Sequence, residues 1–122
     1  MHDAPSQKEM LTAVKAFIDD TAMPALKGHA AFHARVASNV LATVLRELEI
    51  RPAAESAEQQ RLVALLGVDA SAPVATLNEQ LCNRLKQGDM DLNTPGLLAH
   101  LKTTTIDQLS VDQPAYSGLP SD

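Results

Sequence analysis

Residues 28–49, GHAAFHARVASNVLATVLRELE, constrain the fold more than any other stretch of the chain. Advancing about 100° per residue puts Phe32, His33, Val36, Val40 and Val44 on one arc, with Ala37, Leu41, Leu45 and Leu48 beside it. That arc covers more than half of the helix, whereas a surface helix hides a narrower stripe. The spacing therefore predicts a central helix with neighbours on two sides and Val40 in the core. Opposite the apolar arc, Arg35, Asn39, Ala42 and Arg46 line up at i, i+4, i+7 and i+11, and His29 and His33 sit one turn apart.

The rest of the chain reads as helix and punctuation. Ser6 followed by Glu9 is a capping box that starts a first helix near Gln7, and Met10, Leu11, Val14, Phe17, Ile18 and Thr21 follow helical spacing. Pro24 has no N–H to donate, so this helix is expected to end or kink near Ala22. Gly28 opens the central helix, which Pro52 is expected to end near Ile50. A third helix is expected over 53–66, burying Ala54, Ala57, Leu62, Leu65 and Leu66 and stopping at Gly67. Thr76 with Glu79 predicts a fourth, burying Leu77, Leu81, Cys82 and Leu85 and stopping at Gly88. Thr94 as N-cap with Pro95 at N1 predicts a fifth. The result is an all-α bundle of about five helices with a central second helix, one domain over 1–111, followed by a Pro/Gly-containing tail over 112–122.

Composition narrows the chemistry. Nineteen Ala and 17 Leu against one Tyr, two Phe and no Trp make an aliphatic core, consistent with the high helix propensity of Ala and Leu. Ten Lys and Arg are scattered without a run against fifteen acidic residues, so nucleic acid is not an expected partner. No stretch is apolar enough for a membrane span, and the N-terminus lacks the pattern of a signal peptide. A single cysteine, Cys82, rules out an internal disulfide and a Cys-rich metal site, and the expected compartment is the cytoplasm.

Two blocks, AVKAFIDDTAMPALKGHAAFHARVASNVLATVLREL and LNEQLCNRLKQGDMDLNTPGLLAHLKTTTIDQLSVDQPAY, resemble an uncharacterised bacterial family of small helical domains. Its members are encoded beside, or fused to, aminoglycoside-phosphotransferase-like kinases, often near acyl-CoA dehydrogenases. The resemblance runs from about Ala13 to Tyr116 and implies an accessory role beside a kinase-like or acyl-CoA dehydrogenase partner. It places emphasis on Phe32, His33, Arg35, Asn39 and Arg46 without assigning them a reaction. The kinase's own Gly-rich loop and HxD segment are absent.

The residues that carry chemistry are few. His29 and His33 at i, i+4, with Asp19 or Asp20, are the only metal-ligand pattern, but Ala30 stands where a zincin needs Glu, and no metal or cofactor is expected. Arg35, Asn39 and Arg46, with His33, form the candidate ligand site, because guanidinium groups grip carboxylates and phosphates. The competing expectation is that Arg35 and Arg46 pair with Asp19, Asp20 or Glu49 and that Asn39 ties two helices together. Ser38, Cys82, His33, His100 and the Asp19/Asp20 pair form no recognisable catalytic motif, and His100, sharing a face with Thr104 and Asp107, reads as solvated. The sequence thus favours a non-enzymatic accessory or protein-interaction domain over a binder of an anionic small molecule, with a homo-oligomer left open.

Overall fold

The computed structural model describes residues 3–120. Among them the chain is all helical, with no strand. The helices are α1 (Gln7–Phe17), α2 (Gly28–Leu66), α3 (Val74–Gln87) and α4 (Leu97–Asp112), four rather than about five. The difference lies at Pro52, which sits inside α2 instead of ending it. An interior proline removes one ladder hydrogen bond and crowds the carbonyl four residues back. Here good helix formers on both sides, Leu45 to Leu48 and Ala53 to Ala57, carry the helix through.

The chain forms two compact units, Met1–Glu49 and Ile50–Asp122, and α2 contributes to both. In the first unit the expected capping box is present. Glu9 N–H donates to Ser6 Oγ at 3.2 Å, and Ser6 N–H donates to Glu9 Oε2 at 2.7 Å. Approaching Pro24, the helix widens into a π-helical turn, Ile18–Ala22, in which the Met23 N–H reaches back to the Ile18 carbonyl, and then closes with the short turn Met23–Ala25. Gly28 opens α2 at φ 60°, a conformation that costs glycine little.

Two contacts set how α1 lies on α2. Lys8 Nζ meets Glu49 Oε2 at 3.2 Å, and Ser38 Oγ donates to Asp19 Oδ1. As residue numbers rise along α1 they fall along α2, so the two helices form an antiparallel hairpin in which paired positions add to about 57.

The second unit holds the aliphatic core. Leu62, Leu66, Leu77, Leu81, Met90 and Leu97 are buried together, with Val63, Leu65, Val68, Ala72 and Val74 packed against them. Gly88 caps α3 at φ 79°, as its sequence position suggested. Gln59 Nε2 clamps the loop before α3 by donating to the carbonyls of Ala72 at 2.9 Å and Ala70 at 3.2 Å. The tail after α4 folds back, so that Pro114, Leu119 and Pro120 line a hollow with Ile106 and Ser110.

Several expectations are corrected here. The helix α3 starts at Val74 after Pro73, without a Thr76 capping box, because the preceding proline already ends the loop. The helix α4 starts at Leu97 with Gly96 as N-cap, since the Thr94 hydroxyl is turned back to accept the Asp91 N–H at 2.9 Å. Cys82 is exposed and Leu85 is 38% exposed, because the core of α3 needs only Leu77 and Leu81. Val40, expected in the core, is 57% exposed, and Val36, Val44 and Leu48 are exposed with it. Residues 28–49 have one helical neighbour within their unit where the sequence predicted two.

Candidate interaction surface

The first unit buries almost nothing. Among its described residues the one buried side chain is Ser38, at 4% exposure. Around the Ser38–Asp19 bond, half-buried positions recur at helical spacing, Leu11, Lys15, Ile18 and Asp19 on α1 and its π-helical extension and Ala31, Ala34, Leu41 and Leu45 on α2, and mark the faces the two helices turn to each other. Asp19 organises this contact: Lys15 Nζ approaches Oδ2 at 2.5 Å and Ser38 donates to Oδ1. The hydrogen bond from Lys15 first, and that from Ser38 second, hold the Asp19 carboxyl below the ordinary carboxylate range.

Beside that contact lie two uncovered stripes. On α1, Met10, Val14 and Phe17 are exposed, Phe17 by 60%. On α2, Val40, Val44 and Leu48 are exposed, flanked by Ala37. Each stripe is rotated by roughly 110° from its helix's contact face, in the same rotational sense along the chain. In an antiparallel pair, equal rotations of the same sense bring both stripes to one side of the hairpin. The register then sets Met10 level with Leu48, Val14 with Val44 and Phe17 with Val40. These six side chains form one apolar face with no Lys, Arg, Asp or Glu among them.

The residues singled out for ligand binding lie elsewhere on α2. Arg35, Asn39 and Arg46 run along the side turned away from the apolar face, and His33 borders that face in line with Val40. His33, Arg35 and Asn39 are exposed. Arg46 is half-buried and donates through Nη2 to Thr43 Oγ1 at 3.0 Å, while Thr43 donates to the Asn39 carbonyl at 3.1 Å. Arg35 makes no hydrogen bond or ion pair to another described residue. Of the carboxylates expected for the arginines, Asp19, Asp20 and Glu49, Asp19 is engaged by Lys15 and Glu49 by Lys8. His29 lines a shallow surface hollow with Gly28 and Phe32, and Phe32 meets the His33 ring edge-on at 5.5 Å. Among the described residues, no three His, Cys, Asp or Glu side chains converge where a metal ion would sit.

The second unit contains polar groups whose role sequence reading missed. His100, expected on a solvated face, is 3% exposed. The face it shares with Thr104 and Asp107 packs on α2, where Arg61 Nη2 reaches Thr104 Oγ1 at 3.3 Å and Asp107 Oδ2 at 3.6 Å. His100 Nδ1 and Arg61 Nε find no hydrogen-bond partner. Burial first, then the positive charge of Arg61, hold the His100 imidazole below its ordinary pKa, with Glu58 acting the other way. Next to this seam a cleft of about 300 Å³ is lined by Arg51, Glu55, Glu58, Asn78, Thr104 and Asp107 among others, and Glu58 Oε1 accepts from Asn78 Nδ2 at 2.9 Å. A spacing of i, i+4 and i+7 from His100 was the visible clue that these residues act together.

The Ser38 hydroxyl is spent on Asp19 rather than on a histidine base, and Cys82 is exposed on α3. The profile of DUF6285, a domain of unknown function, matches residues 24–116. The chain belongs to the DUF6285 family. No curated protein and no solved structure matches it. The DUF6285 match takes in all of α2, α3 and α4, and α1 precedes it. No helix of the described residues is long and apolar enough to cross a membrane.

Proposed function

We propose that this DUF6285 chain is a non-enzymatic accessory domain of the cytoplasm that works by protein–protein association, beside a phosphotransferase-like or acyl-CoA-handling enzyme. The observation that carries the reading is the apolar face of the first unit. Exposed apolar side chains scattered singly are ordinary, but six in register on one side of a hairpin form a contiguous patch of the kind that marks an interaction site. The class of enzyme comes from the resemblance of the chain to a family whose members accompany such enzymes. Co-expression of the full chain with a phosphotransferase-like enzyme from the same genome tests the pairing. The expected result is a stoichiometric complex on gel filtration, and separate elution of the two proteins at micromolar concentration overturns it.

A second reading, a binder of an anionic phosphorylated or acyl-CoA-like molecule through His33, Arg35, Asn39 and Arg46, draws support from the guanidinium of Arg35, which no described carboxylate neutralises. Calorimetric titration with coenzyme A and with inorganic phosphate checks it. Heat that disappears in Arg35→Ala supports the reading, and no heat ends it.

A further inference from the structure

We infer that the apolar face of the first unit is covered by a second copy of the same chain, giving a symmetric dimer in which two hairpins form a four-helix bundle. This rests on reading that face as an interaction surface and names its occupant.

The geometry of the hairpin carries the inference. Two antiparallel helices whose apolar stripes share one side are half of an up-down four-helix bundle. A second identical hairpin, related by a two-fold axis, supplies the missing half with stripes of the same length and the same register, which is what an isologous interface requires. Every helix would then have the two neighbours that the wide apolar arc of residues 28–49 calls for.

Size and charge agree. Met10, Val14, Phe17, Val40, Val44 and Leu48, each roughly half exposed, together with the alanines flanking them, present on the order of 600 Å² a side, the lower end of what specific interfaces bury. The face carries no formal charge, so an acidic or basic partner gains nothing from it, while its own copy matches it. Residues 1–49 hold five Lys and Arg against six Asp and Glu, whereas the whole chain carries -5. The part of the molecule that would meet its copy is thus the part with the least charge repulsion against itself.

Sedimentation equilibrium of the full chain tests this directly. At about 100 µM, a concentration that populates even micromolar complexes, the expected mass is twice the 13.0 kDa of one chain. Val14→Glu and Val40→Glu each place two carboxylates in the bundle core of the dimer and are expected to raise the dissociation constant by about 100-fold or more. Because both positions are exposed in the single chain, the far-ultraviolet helical spectrum of each monomeric variant should persist. Leu92→Glu, at an exposed loop position of the second unit, should leave the dimer intact. A wild-type chain that is monomeric at this concentration overturns the proposal, as do Val14→Glu and Val40→Glu variants that still dimerise. So does a Leu92→Glu variant that dissociates. The complex with a phosphotransferase-like enzyme is measured separately, so a monomer that still binds the enzyme ends the dimer inference alone, and a dimer that binds no enzyme ends the enzyme assignment alone.

Discussion

Residues 50–112 enclose six large aliphatic side chains in one core, with Leu62 and Leu77 fully removed from solvent, whereas the hairpin of residues 7–49 buries only a serine and leaves its largest apolar side chains half in water. Both are helical, but residues 7–49 hold five Leu where residues 50–112 hold eleven, so composition accounts for part of the difference. Geometry accounts for the rest. The second unit has the end of α2, with α3, α4 and the loops between them, to close around a common centre, while two helices alone have a line of contact and no interior. The hairpin's line of contact combines half-buried apolar positions, Leu11, Ile18, Leu41 and Leu45, with polar pairs between the helices, Ser38 on Asp19 and Lys8 on Glu49.

The contrast can be broken by mutation, beginning with the largest expected effect. Leu62→Ala opens a cavity at the centre of the second unit and should lower the unfolding free energy by about 2 to 5 kcal/mol, read from urea denaturation. A loss below about 1 kcal/mol would mean that this core is not what holds the unit. Ser38→Ala removes one of the two hydrogen bonds to Asp19 and should lower the melting temperature of the chain measurably, though less than Leu62→Ala does. If the hairpin were held by apolar packing alone, the alanine would be neutral or better.

Titration sharpens the same contrast, because the two units lose stability in different pH windows. His100 has its folded pKa below the ordinary 6.5, so between those two values the unfolded chain binds more protons than the folded one. The contribution of its burial beside Arg61, Glu58 and Asp107 is therefore complete above about pH 6.5 and declines as the pH falls through the folded value. Asp19, with its folded pKa below the ordinary 3.8, keeps its contribution down to that point and loses it only as the pH falls further. Melting temperature against pH should accordingly show a decline beginning near neutrality that is absent in His100→Gln. The same decline persisting in that variant would assign it to another group.

The smallest effects belong to the polar stripe. Arg35→Ala and Asn39→Ala change exposed side chains of α2 and should move the unfolding free energy by no more than about 0.5 kcal/mol. A loss of 1 kcal/mol or more in either would show that the stripe ties helices together after all.

Much of the second unit was legible because its rules are local. The buried face of α2 near Leu62 and Leu66, the Leu77 and Leu81 stripe of α3 and the glycine stop at Gly88 follow from helical periodicity and backbone conformation. So does the capping box at Ser6 and Glu9. The candidate site was legible only in part. Spacing placed Arg35, Asn39 and Arg46 on one side of a helix, but it gave no way to know that Lys15 and Lys8, from α1, would engage two of the expected carboxylates, Asp19 and Glu49.

Periodicity by itself determined that residues 28–49 carry an apolar arc wider than a surface helix needs, since side-chain direction along a helix is set by a fixed angle per residue. Only tertiary structure decided what each part of that arc touches. The number and direction of neighbours depend on where α1 docks, which is settled by contacts between residues distant in sequence, such as Ser38 with Asp19 and Lys8 with Glu49. The same holds for His100, whose face is polar by sequence and buried only because Arg61 lies across from it to meet Thr104 and Asp107.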